Sequence, residues 1–158
     1  MELGLATSAF DAGDRMPAKY AMRAVTGGEN ISVPLSWSGV PGATRSLALT
    51  IVDHAPVAHD WVHWMVVDIP PDTRSLAEGA SGPGMPPGTV ELPNSFGFSG
   101  YGGPEPPAGT GLHPYVVTLY ALDVPTLRLG RDATLTRFER AISGHVLASQ
   151  DLTGYFGR

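Results

Sequence analysis

The stretch SLALTIVD, residues 46–53, decides the fold. It is rich in Leu, Ile and Val and lies between PGATR and APVAHD, which predicts a buried β-strand. The same pattern predicts strands over WVHWMVVDI (61–69) and YVVTLYALD (115–123). A fourth strand, ISVPLSW (31–37), is predicted at an edge or a bulge, because Pro34 cannot donate to a sheet ladder. The chain is therefore predicted to be mainly β.

A helix is predicted near the C-terminus, over about residues 136–149. Thr136 and Glu139 form a capping box that marks its start. His145 falls on the apolar face and is interpreted as a buried core histidine. The residues that share this face at helical spacing are Phe138, Ala141, Ile142, His145, Val146 and Ser149.

Length and composition fit one domain, residues 1–158. The 158 residues are 42% hydrophobic, which is enough for a sizeable core. A net charge of −5 with only 16% charged residues makes nucleic-acid binding unexpected. The absence of Cys excludes disulfides and thiolate catalysis. No apolar run is long enough to span a membrane and no secretory signal is visible, so a cytoplasmic location is expected.

The middle of the chain is rich in Pro and Gly. Residues 70–114 hold ten of the fifteen Pro, and residues 79–111 hold ten of the twenty Gly. A span of this length without periodic structure is usually functional or disordered. Its aromatic residues and its scarcity of charge argue against disorder. We therefore predict an ordered loop that is stiffened by Pro and allows close backbone approach at Gly.

Polar side chains begin two of the predicted strands. Because side chains alternate along a strand, Trp61 shares a face with His63, and His113 shares one with Tyr115. If the strands are neighbours, both imidazoles open into one site at a sheet end, where Asp53 could orient a protonated His. Two imidazoles, a phenol and an indole N–H suit an oxyanion such as phosphate. On these residues alone, structural roles for the histidines are an equal alternative.

Two enzyme classes show partial motifs. His59 and His63 form HxxxH, which indicates zinc only on a helix, since positions four apart on a strand are about 13 Å apart. GFSGY (97–101) is similar to a nucleophile elbow but lacks its last Gly. No cofactor is expected. A metal held by Asp53, His63 and His113 stays open, so a metal-dependent or acid–base hydrolase is kept as a minor alternative.

Four motifs, in order, resemble the phosphatidylethanolamine-binding protein family, also called Raf kinase inhibitor-like proteins, and its bacterial branch in particular. They are LALTIVDHAP, WVHWMVVDIP, NSFGFSGYGGPEPPAGTGLHPYVVTLYALD and AISGHVLASQDLTGYF, and the resemblance covers residues 31–157. It implies a β-sandwich of antiparallel sheets with a few peripheral helices, including the C-terminal one. It also implies a small pocket for phosphate-like anions and phospholipid head groups.

The resemblance also implies which residues bind the ligand. Asp53 resembles the pocket aspartate, Trp61 the wall indole, and Pro106 with Pro107 the paired prolines of the wall. Pro56 resembles the proline that closes the loop after Asp53. The full implied set is Asp53, Pro56, Trp61, His63, Pro106, Pro107, His113 and Tyr115.

Two positions depart from the family pattern. DHAP (53–56) is one residue shorter than the usual DPDAP, and His54 stands where a second acid is expected. Glu105 precedes the proline pair, where relatives often carry Cys or Gly. Its carboxylate could repel phosphate, point to solvent, or favour a zwitterionic ligand with an ammonium group.

The function predicted from these patterns is non-catalytic binding of a phosphate-like anion or a phospholipid head group. The alternative is a kinase or protease inhibitor-like interaction module whose contact surface is the 79–112 loop; this alternative rests on family analogy. A homodimer is expected because bacterial relatives often form one.

Overall fold

The computed structural model describes residues 2–158, which form two antiparallel β-sheets and one α-helix joined by long connections. The helix α1 spans Leu135–Ile142. In chain order, the strands are β1 (Gly4–Ala6), β2 (Leu35–Ser38), β3 (Ser46–Asp53), β4 (Trp61–Ile69), β5 (Ser75–Leu76), β6 (Val90–Glu91), β7 (His113–Leu122) and β8 (Val146–Phe156).

The strands are arranged in a three-stranded and a five-stranded sheet. The smaller sheet has the order β1–β2–β5, and the larger has the order β6–β4–β3–β7–β8. Every strand pair is antiparallel. The predicted mainly β fold, a sandwich of antiparallel sheets with a helix near the C-terminus, is confirmed. The predicted edge strand at 31–37 is shorter than expected, because β2 begins only after Pro34.

Strand β3 lies at the centre of the larger sheet and is buried along its whole length. Leu49 and Ile51 belong to a core cluster that includes buried residues of both sheets. Ala48 and Val52 point the other way and pack in a second cluster with Phe138 of α1. A strand that is covered on both faces reads as a continuous apolar run, which explains SLALTIVD.

The helix is shorter than predicted. Its N-cap is Thr134, whose side chain accepts a hydrogen bond from the backbone N–H of Arg137 at 3.1 Å, so the predicted Thr136 cap is wrong. The helix ends at Ile142, and Gly144 follows in a left-handed conformation with φ of +82°. The predicted helical residues beyond this turn instead begin β8, at Val146.

The prediction that His145 lies in the core is wrong for the same reason. His145 lies in the turn between α1 and β8, and its side chain is 43% exposed. Its Nδ1 lies 2.8 Å from Oδ1 of Asp123. Helical spacing placed His145 on the apolar face only on the assumption that the helix continues past Gly144.

Buried polar side chains hold the segment between β6 and β7, residues 92–112, which we call the wall loop. Oδ1 of Asn94 accepts a hydrogen bond from the N–H of Phe96 at 3.0 Å, and its Nδ2 donates to the carbonyl of Gly100 at 2.9 Å. Just before the loop, Glu91 accepts from the indole Nε1 of Trp64 at 2.8 Å. The Asn94 bonds fix the shape of the loop, and the N–H of Ser95, which donates to the Val62 carbonyl at 2.8 Å, holds the loop against β4.

Across residues 2–158, no helix has the length and apolar character that crossing a bilayer requires.

Candidate functional site

The end of β3 and the starts of β4 and β7 meet at one end of the five-stranded sheet, where the strands of its centre begin or finish. Asp53, the last residue of β3, is paired in register with Trp61 on β4 and with Tyr115 on β7. The antiparallel order therefore brings the starts of β4 and β7 beside the end of β3. His63 and His113 lie at this same end of the sheet.

These strand ends enclose a cavity of about 280 Å³ together with the turn Pro56–Ala58 and the wall loop. Seven of the eight residues that the sequence implied lie in its lining, and Pro56 instead begins the turn whose next two residues line it. Their role in binding a ligand stays a prediction. The lining consists of Asp53, Val57, Ala58, Trp61, His63, Phe96, Glu105, Pro106, Pro107, His113 and Tyr115.

Asp53 and His113 form a buried pair. Nδ1 of His113 lies 2.6 Å from Oδ2 of Asp53, and their side chains are only 1% and 5% exposed, respectively. Oδ1 of Asp53 accepts a hydrogen bond from the N–H of Ala55 at 2.9 Å, which shapes the short DHAP loop. Nε2 of His113 lies 2.7 Å from Oγ1 of Thr110. Both ring nitrogens are thus engaged, and His113 can reach a ligand only if Thr110 moves aside.

His63 is held in one tautomer by the wall loop. Its Nδ1 lies 2.8 Å from the carbonyl oxygen of Gly102 and 3.1 Å from that of Gly103. Carbonyl oxygens only accept hydrogen bonds, so Nδ1 carries the proton and Nε2 is left for the cavity. Burial lowers the pKa of His63 to about 4, although the Gly102 carbonyl and the Asp53 carboxylate act in the opposite direction. In this neutral state His63 presents an acceptor to the cavity, and the role of both imidazoles as donors to a ligand stays a prediction.

Gly102 and Gly103, whose carbonyls contact His63, lie where the backbone passes too close to Tyr20 and Phe96 for a side chain. A Cβ at Gly103 would lie 1.9 Å from the backbone oxygen of Tyr20, and one at Gly102 would lie 2.6 Å from Cδ2 of Phe96. The N–H of Gly102 also donates to the His63 carbonyl at 2.9 Å. Two hydrogen bonds of opposite direction therefore join His63 and Gly102.

Tyr115 presents a donor with no partner. Its hydroxyl is buried and has no partner of good hydrogen-bond distance and angle within residues 2–158, although the Asp53 carboxylate lies near enough to act on it as a distant acceptor. Burial, together with the nearby Asp53 carboxylate, raises the pKa of Tyr115, so the hydroxyl keeps its proton. A buried hydroxyl without a partner costs about 1–3 kcal/mol, which a ligand acceptor would relieve.

The cavity has an aromatic wall that sequence reasoning missed. Phe96 packs edge-on against Trp61, with ring centroids 5.4 Å apart, and against His63, with centroids 5.5 Å apart. Asn94 holds Phe96 there, so the available signal was an Asn two residues before an aromatic in a Gly-rich loop. Thr110 was also missed, because a hydroxyl three residues before a histidine carries no motif.

Charge in the cavity comes from acids and histidines. Glu105 is half-buried and belongs to the lining. None of the lining residues, all of which lie within residues 2–158, is Arg or Lys. In the same described part of the chain, no group of three or more His, Cys, Asp or Glu side chains could hold a metal ion. The geometry thus offers the Asp53–His113 pair, one neutral acceptor at His63 and one unused donor at Tyr115.

The chain is similar to known proteins over almost its whole length. A UPF0098 protein of Methanothermobacter thermautotrophicus is 41% identical over 157 residues, which cover 99% of each chain. The UPF0098 protein YbhB of Escherichia coli K12 is 36% identical over 148 residues, which cover 91% of this chain and 93% of the relative.

A solved structure is also similar to this chain. The crystal structure of E. coli YbcL, described as a new member of the mammalian PEBP family, matches with a TM-score of 0.92 at 28% identity and covers 100% of this chain and 99% of its own. The model of the family described as phosphatidylethanolamine-binding protein matches residues 6–157. This chain therefore belongs to the phosphatidylethanolamine-binding protein family.

Proposed function

We propose that this chain is a non-catalytic binding protein whose pocket holds a phosphate-like anion, such as the phosphate of a phospholipid head group. The observation that carries the proposal is the buried Tyr115 hydroxyl, a donor without a protein partner in residues 2–158, in the lining of the cavity. Native proteins rarely leave such a group unpaired unless it serves a function. A phosphate oxygen at this point would accept from it.

The neighbouring groups suit the same ligand. His113 is oriented through Nδ1 by Asp53, so its Nε2 would face an anion once Thr110 moves aside. A volume of about 280 Å³ lies at the small end of ligand pockets, which fits a head group and not a whole lipid. With no Arg or Lys among the lining residues described here, we expect modest affinity.

Apolar side chains around the mouth favour a phospholipid over free phosphate as the source of the anion. Val57 and Trp61 are exposed and belong to the lining, and the exposed Leu112 immediately precedes His113. Exposed apolar groups that cluster beside a polar pocket mark a surface for an amphiphilic ligand. An amphiphile would put its phosphate in the cavity and its apolar part at the rim.

Calorimetry with two matched histidine variants tests the proposal. His113 and His145 both contact an Asp through Nδ1, at 2.6 and 2.8 Å, but only His113 lines the cavity. We expect His113→Gln to weaken binding of phosphoethanolamine and inorganic phosphate by about two- to tenfold, because the Gln amide still donates but loses the orientation that Asp53 gives to the ring. His145→Gln should bind like the wild type.

Thermal melts of both variants show whether they fold. Absence of binding by the wild type at millimolar ligand would overturn the proposal. So would equal affinities of folded His113→Gln and the wild type.

A further inference from the structure

The position of one proton in the pocket is set by the backbone of the wall loop. Nδ1 of His63 donates to the carbonyls of Gly102 and Gly103, so in the neutral ring Nε2 carries the lone pair and lies on the side of the cavity. The ring cannot exchange its tautomer without giving up both carbonyl contacts. His63 therefore offers an anion an acceptor where a donor is needed.

Among the residues that the structure describes, no Arg or Lys side chain belongs to the lining around His63. The titratable groups around His63 are Asp53 from β3, His113 and Tyr115 from β7, and Glu105 from the wall loop, with Arg158 acting beyond Tyr115. Asp53 and Glu105 are acids, and His113 already faces Asp53. An unprotonated phosphate oxygen against Nε2 would put two lone pairs in contact within a site that already contains two carboxyl groups.

A proton between the two atoms removes this conflict. A phosphate monoester can bring the proton as its acid monoanion, whose P–OH donates to the neutral ring. A phosphate diester has no such proton, so the ring itself must take one from solvent. Both complexes therefore contain one proton in a hydrogen bond between Nε2 of His63 and a phosphate oxygen.

We propose that the pocket binds a phosphate ester together with one proton, which is shared between the ligand oxygen and Nε2 of His63. This proposal rests on the function proposed above and adds that the site selects the singly charged, protonated form of a monoester. The unfavourable protonation of the buried ring makes a diester the weaker ligand at neutral pH, so a phospholipid, which is a diester, would depend on its apolar contacts with exposed Val57 and Trp61 to offset this cost.

Two ligands distinguish the origins of the proton. Dimethyl phosphate should bind at least tenfold more weakly at pH 7 than at pH 5, because each pH unit can cost up to tenfold when binding takes up one proton. Methyl phosphate, with a second pKa near about 6, should change little between pH 5 and 6 and should weaken by up to tenfold per unit above that. Calorimetry in buffers of different ionisation enthalpy should show nearly one proton taken up with the diester.

A variant assigns the proton to His63. In His63→Gln, the amide donates without a solvent proton, so dimethyl phosphate affinity should vary less than twofold from pH 5 to 7. The control His145→Gln should keep the wild-type slope. Should His63→Gln fail to fold, ¹⁵N NMR of the wild type gives the same information, because His63 should show a bare Nε2 without ligand and a protonated one with dimethyl phosphate.

The outcomes separate the two proposals. Failure of both esters to bind at every pH would overturn the proposed function. Binding of dimethyl phosphate that is constant from pH 5 to 7, or an Nε2–H tautomer in the free protein, would overturn the shared proton and leave the proposed function standing.

Discussion

Replacing Tyr115 by Phe should weaken ligand binding without weakening the fold. The hydroxyl is buried and unpaired within residues 2–158, so its removal relieves a desolvation cost of about 1–3 kcal/mol. Small adjustments of the wild-type pocket recover part of this cost. We therefore expect the free energy of unfolding to stay equal or to rise by about 1 kcal/mol, which is about 2–4 °C in Tm for a chain of this length.

The same substitution should reduce affinity for phosphoethanolamine. A hydrogen bond from a neutral hydroxyl to an anion contributes about 1.5–3 kcal/mol, which corresponds to about 10- to 150-fold in Kd. Urea unfolding without ligand measures the stability, and calorimetry measures the affinity. The expected signature is a change of opposite sign in the two quantities.

Tyr101 provides the matched control. It is also a buried tyrosine, but its hydroxyl donates to the backbone oxygen of Tyr20 at 2.7 Å. Tyr101→Phe leaves that carbonyl without its donor and should lower the free energy of unfolding by about 1–2 kcal/mol. Its affinity should remain within about twofold of the wild type, since Tyr101 does not line the cavity. Loss of stability in Tyr115→Phe, with phosphate affinity unchanged, would refute the reasoning.

Three further predictions concern the pocket. Thr110→Ala should raise phosphate affinity about two- to tenfold in calorimetry, because the Thr110 hydroxyl competes for Nε2 of His113; lower affinity would mean that Thr110 supports the ligand. Glu105→Gln should raise the affinity for inorganic phosphate by about two- to tenfold and should lower the affinity for phosphoethanolamine. The same change in affinity for both ligands would mean that the carboxylate contacts neither of them. The pKa of His63 is lowered to about 4 in the folded state, so the unfolded chain takes up the extra proton first. The free energy of unfolding should have its full value above the ordinary His pKa and should fall by about 3 kcal/mol as the pH drops to about 4. Urea unfolding at pH 7 and 4.5 checks this, and an equal loss in His63→Gln would contradict it.

The strands and the location of the site could be predicted because both depend on local pattern. SLALTIVD is mostly apolar because β3 is covered on both faces. The polar residues at the starts of β4 and β7 meet because both strands pair antiparallel with β3, a condition that the sequence left open. The end of the helix could not be predicted from periodicity, because Gly144 interrupts a spacing that continues by chance into β8.

The chemical state of the site depends on contacts between distant residues. The tautomer of His63 is set by Gly102, 39 positions away, and the engagement of His113 by Thr110 depends on how the wall loop turns. No spacing rule encodes either contact. The homodimer, the protein partner and the cytoplasmic location rest on resemblance and composition, and they stay predictions.

The paired hydrogen bonds between His63 and Gly102 have a consequence for dynamics. The Gly102 amide is held by the His63 carbonyl, so it exchanges with solvent deuterium only when the wall loop lifts from β4. The same lift releases Nδ1 of His63, since Gly102 O and Gly103 O are its acceptors. Every opening that exposes this amide thus also frees the ring to rotate and to exchange its tautomer. The exchange rate of a single backbone amide would therefore report how often the imidazole can change its tautomer, and a ligand bound at Nε2 should slow both events together.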